Sequence, residues 1–333
     1  MKLAAEYDVC VLGGGPAACL VTLLLRGAGR HVCMIARTAF GAVQPTPFAG
    51  GRFTAVPVFP PFSTTRHPAI GRLFDGIASA GAVEIRLPDS STYTAKLFGR
   101  TIAAGPPPPE LAKKVARHYG QQPAEQRMGF IGGLSPYFLA SQDATLTDWA
   151  SDGVTGLDLS QRRVAVGDQT IRYRALVSTI PMPTLMTLTG LDTAATFVAG
   201  DARFAVFHVP EETSENVLTY DPDLASPVYR VFAPLAGVVV AQLSKTNDCW
   251  ADVSDVASYL RRTQSWQGPA TLLSAFTLPA CYPLQIHPEE FRTSCEHALR
   301  EKGVFLFGRH GLWEYRDLHE LRWSVLDDVL AYL

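Results

Sequence analysis

A short apolar run, Tyr7-Asp8-Val9-Cys10-Val11-Leu12, leads directly into Gly13-Gly14-Gly15-Pro16-Ala17-Ala18 and then into an apolar helical stretch ending near Arg26. Strand, tight turn and helix are expected in that order. Gly13 permits the turn, Gly14 and Gly15 let backbone approach a pyrophosphate, and the small Ala18 lets the helix pack closely on the strand. The helix N-terminus at Pro16 and Ala17 turns free N–H groups toward the phosphates. Gly27-Ala28-Gly29 ends the helix, and a second strand follows at Arg30-His31-Val32-Cys33-Met34-Ile35. A complete βαβ unit therefore fits within residues 7–35, and that context favours a dinucleotide over a merely structural turn.

One part of the fingerprint differs. The end of the second strand usually carries an acidic residue that holds the adenosine ribose, and here it carries Ala36-Arg37. Arg37 offers a phosphate contact or a stack on adenine, and a solvated strand end is the competing reading. NADP(H) and weakly held FAD both remain open at this point.

Composition restricts the alternatives. With 47% apolar and 18% charged residues the chain can build a well-buried core. A net charge of -2 and a pI of about 6.4 give no overall basic field, so nucleic acid is not indicated, although a local basic face leaves it open. The longest apolar stretches, such as Leu20 to Leu25 and Val238 to Leu243, fall well short of the roughly 20 residues that span a bilayer. No membrane span is expected. The opening Met-Lys-Leu lacks the features of a signal peptide, which points to a cytoplasmic protein. The six cysteines have no CxxC spacing, so neither metal nor disulfides are expected.

Further along lies Ala49-Gly50-Gly51-Arg52-Phe53-Thr54. Here the sequence resembles the amine oxidase type of FAD protein, a group that includes monoamine oxidases, protoporphyrinogen oxidases and UDP-galactopyranose mutases. Paired glycines bring backbone near a cofactor, and an arginine faces its phosphates or carbonyls. By this resemblance Gly51 and Arg52 contact FAD. The segments Gly153 to Leu159, Arg163 to Val166 and Ile171 to Pro181 read as three short strands ending in a proline-bounded turn. The same families share this pattern, with Val154 near the adenine.

The C-terminal signal is the most specific. Val304-Phe305-Leu306-Phe307 reads as a buried strand, Gly308-Arg309-His310-Gly311 as a turn, and Asp317 to Tyr332 as an amphipathic helix with Leu318, Leu321, Val325 and Val329 on one face. It is similar to the end of UDP-galactopyranose mutase-like flavoproteins, which implies FAD contacts from Gly308, Arg309, Leu312 and Trp313. The resemblance covers roughly residues 7–54, 145–190 and 280–333 in family order, and includes Tyr282-Pro283 ahead of the last strand.

The expected fold class is α/β: a Rossmann-type, glutathione reductase-like FAD-binding domain with a smaller α+β substrate domain containing an antiparallel sheet. Residues 1–58, 145–194 and 279–333 would form the discontinuous FAD-binding domain, and 59–144 and 195–278 the substrate cap. The first cap segment is expected to be mostly helical and irregular, with a Pro106-Pro107-Pro108-Pro109 break followed by a helical stretch, Glu110 to Tyr119. The second has β-like runs at Phe204 to Val209, Val228 to Phe232 and Val238 to Leu243.

By the resemblance, the expected activity is oxidation of an amine or amino acid, with hydride transfer to flavin N5 and cleavage of the C–N bond. Trp313, Tyr315, Tyr282 and Tyr229 are candidate substrate contacts, each with core packing as the competing role. Arg230 in its Tyr-Arg pair is a candidate for an anionic substrate group or a surface ion pair. His310 is a candidate acid/base because imidazole titrates near neutrality, or else a solvated turn residue. The substrate would be a small molecule or an amine on a macromolecule, and the protein a monomer or homodimer. A redox-neutral mutase or lyase and a non-catalytic FAD-binding protein are the other two classes.

Overall fold

The computed structural model describes residues 6–36, 62–63, 85–86, 128–129, 154–191, 197–209, 217–221, 225–235, 237–246, 249–263, 269–284, 289–316 and 321–333. Strand β1 (Glu6–Leu12) is apolar and buried from Val9 onward because both its faces are covered there. Val9 and Val11 enter one core and Cys10 and Leu12 the other. Helix α1 (Pro16–Gly27) returns the chain to β2 (Val32–Ile35), which pairs parallel to β1 from Val9↔Val32 to Leu12↔Ile35. Three two-residue strands follow, β3 (Phe62–Ser63), β4 (Ile85–Arg86) and β5 (Met128–Gly129). The expected irregular and helical segments between them, including Glu110 to Tyr119, lie outside the described residues, as do Arg37, Gly51 and Arg52.

The chain resumes with β6 (Gly156–Asp158), β7 (Arg163–Val166) and the long β8 (Gln169–Ser178), an antiparallel meander at the expected positions. Helix α2 (Met182–Thr189) follows the Pro181 turn and ends at Gly190 with φ 65. Then come β9 (Val198–His208), β10 (Val217–Tyr220), β11 (Val228–Leu235), β12 (Val238–Leu243), β13 (Lys245–Thr246) and β14 (Cys249–Trp250). Helix α3 (Val253–Thr263), strand β15 (Thr271–Leu284), helix α4 (Glu289–Glu301), strand β16 (Val304–Leu306), the single turn α5 (Gly308–Gly311) and helix α6 (Val325–Tyr332) complete the described elements.

Strand β8 organises the first sheet. One side pairs parallel with β1 from Glu6↔Arg172 to Leu12↔Ser178. Its other side is divided, with β7 antiparallel beside residues 169–172 and β16 parallel beside Leu176 to Ser178. The parallel strands β2, β1, β8 and β16 therefore end together. Val9, Val11, Ala175, Val177, Phe305 and the apolar sides of α1 and α6 form the core on one face. On the other, Leu12, Ile35, Leu176 and Leu306 pack with Met182 and Leu185 of α2 and with Leu312 and Trp313. The mixed α/β class agrees with expectation.

The second sheet has the order β15-β9-β12-β11-β10-β4, antiparallel except where β10 meets β4. Alternation gives it two distinct faces. Ala205, Phe207, Val239, Ala241 and Val231 cover Val256 and Leu260 of α3. Residues of opposite parity, among them Phe204, Val206, Arg230, Val240 and Gln242, share the other face by register.

The last helix is shorter than its periodicity implies. It spans Val325–Tyr332, and residues 321–324 form a tight turn in which Val325 N–H donates to the Arg322 carbonyl. The reason is Trp323, which is 5% exposed and packs edge-on against Phe307 at 4.9 Å. In a helix running from Asp317, residue 323 would project about 200° from residue 321 and leave the core. Leu321, Val325 and Val329 are nevertheless all buried in that core, while Leu318 lies outside the described residues.

Candidate functional site

The site is assembled at the shared carboxyl end of β1, β8 and β16, where an open α/β sheet leaves its ligand crevice. Gly13 leaves β1 with φ 116, a conformation that side chains disfavour, and donates its N–H to the Ile35 carbonyl at 2.8 Å. Thr179 leaves β8, and both its backbone N–H and its hydroxyl donate to the Leu12 carbonyl, at 2.9 and 2.8 Å. Phe307 leaves β16 and donates its N–H to the Ser178 carbonyl at 2.9 Å. The three exits meet. A Cβ added at Gly308 would lie 3.0 Å from that of Ala17, and one at Gly311 only 2.3 Å from the Ser178 carbonyl oxygen.

Helix α1 begins at this meeting point with its positive end unsatisfied. Gly15 precedes it with φ -75 and ψ 176, no side chain caps it, and its first turn carries no acidic residue. Glycine at 15 is not required by backbone shape. Among the described residues a Cβ there would meet nothing within 4 Å, which leaves open space beside the helix start. Free N–H groups and open space beside them fit a phosphate group, and the residues present therefore fit the expected dinucleotide. Gly14 is buried and accepts a weak hydrogen bond from the Cys19 thiol, while Ala18 is sealed into the core at 0% exposure. Pro16 stands at the first helical position, where its missing N–H has no consequence. Val154 packs at the edge of the core that holds Trp313.

Between β16 and the turn at 321, the chain presents Arg309, His310, Leu312 and Trp313, each with different surroundings. Arg309 donates from Nε to the Arg316 carbonyl and from Nη1 to the Cys281 carbonyl of β15, both at 2.9 Å, and its guanidinium lies 4.9 Å from the Tyr315 ring centroid. His310 places Nε2 2.9 Å from the Ala280 carbonyl. Burial and the Arg309 guanidinium push the imidazole pKa down to about 4 against the opposing pull of that carbonyl, so His310 is neutral near pH 7 and donates through Nε2. Leu312 is buried, and Trp313 adopts a left-handed backbone conformation with φ 51. Its indole is 6% exposed, meets Phe197 edge-on at 5.5 Å, and its Nε1 has no hydrogen-bond partner among the described residues.

Strand β15 brings the second sheet to this turn. Tyr282 meets Tyr315 edge-on at 5.2 Å, and its hydroxyl lies 2.8 Å from Gln242 Nε2 and 3.0 Å from Gln242 Oε1. Gln242 Oε1 also accepts from Arg230 Nε at 2.8 Å. Arg230, Gln242 and Tyr282 thus form one polar line across β11, β12 and β15, on the face that also carries the Phe204–Phe276 stack at 5.6 Å. Burial pushes the Cys281 thiol pKa up, while the guanidiniums of Arg309 and Arg230 pull it down, so both positive charges bear on this spot. Tyr229 is enclosed at 1% exposure beside the register shift between Val228 and Arg230.

The structure therefore brings together Gly13, Gly15, Ala17, Gly308, Arg309, His310, Trp313, Tyr315, Tyr282 and Arg230. Two residues were not anticipated. Gln242, 2% exposed, is the one polar residue in Val238-Val239-Val240-Ala241-Gln242-Leu243, which was its available signal. Glu314, also 2% exposed, is buried between Trp313 and Tyr315 and pairs with Arg292 of α4, with Arg316 and, at 3.3 Å, with Arg322.

This combination of a βαβ unit, a second strand-to-turn crossing at the same sheet end and an antiparallel sheet beside it defines a class of α/β fold, and solved structures share it. A reduced UDP-galactopyranose mutase aligns with a TM-score of 0.63 at 13% identity, over 93% of this chain and 89% of its own. A CLA-producing fatty acid isomerase from P. acnes aligns at 0.62 and 13% identity over all of both chains. A putrescine oxidase redesigned in its cofactor binding aligns at 0.60 and 11% identity, over 98% of this chain and 99% of its own. The resemblance seen in the motifs is thus one of fold. No family model and no curated protein matches the sequence. Among the described residues, no helix is long and apolar enough to cross a membrane.

Proposed function

We propose that the protein is an FAD-dependent oxidoreductase that oxidises the C–N bond of an amine, with amino acids the favoured class. The observation that carries the reading is the uncapped start of α1 beside the open space at Gly15, adjoining the Gly308–Trp313 turn. FAD, when bound, supplies the hydride acceptor. Gly13 to Ala18 would hold its pyrophosphate, and the Gly308–Trp313 turn would border its ring. Trp313, Tyr315 and Tyr282 would wall the substrate space and exclude water. The Arg230–Gln242–Tyr282 line would hold a carboxylate on the substrate, since two guanidiniums around Cys281 disfavour a substrate carrying only positive charge. His310, neutral and committed to the Ala280 carbonyl, would fix the turn to β15 and take no proton in turnover near pH 7.

The same positive surroundings also favour a second reading, a redox-neutral rearrangement of an anionic substrate. The neighbours include both kinds of enzyme, a putrescine oxidase on one side and a mutase and an isomerase on the other. Anaerobic mixing of FAD-loaded protein with candidate amines and amino acids separates the two. Net bleaching of the flavin supports oxidation, and turnover only after prior reduction supports the redox-neutral reaction. Absence of any flavin binding would overturn both.

A further inference from the structure

We propose that Glu314 is a positioning residue whose clamp of arginines holds Trp313 so that its indole N–H donates to an acceptor on the bound flavin. The proposal rests on the FAD reading above.

A carboxylate at 2% exposure is tolerable only with charge partners, and Glu314 has three. Arg292, 7% exposed, reaches it from α4, Arg316 reaches it from two residues on, and Arg322 Nη2 lies 3.3 Å away. Arg322 extends the cluster to Glu296 of α4 at 3.2 Å. The backbone is fixed as well. Glu314 N–H donates to the Arg309 carbonyl at 2.9 Å and Trp313 N–H to the His310 carbonyl at 3.2 Å. Glu314 is therefore tied to α4 by its side chain and to the Gly308–Gly311 turn by its backbone.

The residues on either side of it are two of the aromatic groups of the candidate site. Trp313 is held with φ 51, a conformation a bulky residue adopts only where its surroundings impose it. Its indole is nine-tenths buried, yet Nε1 has no acceptor among the described residues. A buried donor without an acceptor in the protein is costly, and a ligand that brings the acceptor offsets that cost. Tyr315 lies under the Arg309 guanidinium and against Tyr282. Fixing Glu314 fixes the direction of both rings, as preorganised sites require of the residues that support them.

The test follows the indole N–H resonance of Trp313 in 15N-labelled protein, assigned by its loss in Trp313→Phe, during titration of the apo-protein with FAD. Wild type should bind FAD with a marked shift of that resonance. Glu314→Gln should remain folded by circular dichroism, lose the shift, and bind FAD about tenfold or more weakly, the scale of one charge-assisted contact. The double variant Glu314→Gln with Arg292→Met removes the uncompensated buried guanidinium, and it should recover thermal stability without recovering the shift or the affinity. Recovery of both would show a purely structural role and overturn the proposal. So would a Trp313 resonance that ignores FAD in a wild-type protein that binds it. Failure of wild type to bind FAD at all would instead sink the cofactor reading on which the proposal rests.

Discussion

Gly13 and Thr179 stand so close that a Cβ on the glycine would lie 2.2 Å from the threonine hydroxyl, which is itself committed to the Leu12 carbonyl. Two residues on, a Cβ on Gly15 would meet nothing within 4 Å among the described residues. The first glycine of the turn is therefore required by packing within the protein, and on the proposed reading the second leaves room for a ligand.

Gly13→Ala should destabilise the apo-protein by about 1–3 kcal/mol through strain and overpacking. Gly15→Val should melt near wild type and lose FAD, because the branched side chain fills the space open to the pyrophosphate. Thermal melts of flavin-free protein and the flavin content of purified protein read the two effects separately. Near-normal flavin content in Gly15→Val would mean the dinucleotide lies elsewhere.

His310 gives a pH dependence with a definite sign. Its folded pKa of about 4 lies below the ordinary 6.5, so the unfolded chain binds a proton more readily than the folded one. Its contribution is full above about pH 6.5 and is lost as the pH falls toward 4, on the order of 3 kcal/mol in total. His310→Gln retains a donor for the Ala280 carbonyl and cannot titrate. The difference in melting temperature between pH 7.5 and pH 5 should be smaller in that variant than in wild type, and an equal difference would place the acid sensitivity elsewhere.

Arg309 bridges the Cys281 and Arg316 carbonyls and underlies Tyr315, so its removal should loosen the turn on which the flavin ring would rest. Arg309→Ala should bind FAD roughly ten- to a hundredfold more weakly, equivalent to about 1.5–3 kcal/mol. It should also let the His310 pKa rise, since Arg309 is the second cause of its depression after burial. Flavin titration and histidine chemical shifts measure these. Unchanged values for both would remove Arg309 from the site.

The strand, glycine turn and helix start of the candidate site were legible because their requirements are local. A strand, a glycine turn and a helix start must be contiguous, and Tyr7 to Arg26 spells them out. Arg230 and Tyr282 could be named from their segments, but not the amide between them, because Gln242 acquires its role only when the sheet assembles with β11 beside β12 and with β15 beyond β9. Glu314 was hidden similarly, since its arginines come from residues 292, 316 and 322. The boundary of α6 was misjudged because periodicity counts one face, and the burial of Trp323 against Phe307 outweighed it.

Gln242→Leu should expose the importance of that hidden amide. The substitution removes the acceptor for Arg230 Nε and the partner of the Tyr282 hydroxyl, at a cost of about 1–3 kcal/mol in stability. FAD content should stay at the wild-type level, while KM for a carboxylate-bearing substrate rises. A variant with unaltered KM would separate the polar line from substrate recognition.

Strand β8 lies between β1 on one side and β7 and β16 on the other, so its carboxyl end is completed by residues near 12 and near 306. Its pairing with β1 and β16 closes loops of well over a hundred residues, the kind of long-range contact that slows folding. During synthesis the glycine turn is made long before residues 308–311, and the wall that Gly308 and Gly311 build against Ala17 and Ser178 cannot exist until that later stretch has left the ribosome. On the proposed reading FAD capture would accordingly be a late event, and a chain interrupted before residue 304 would carry the glycine turn without the wall that completes the candidate site.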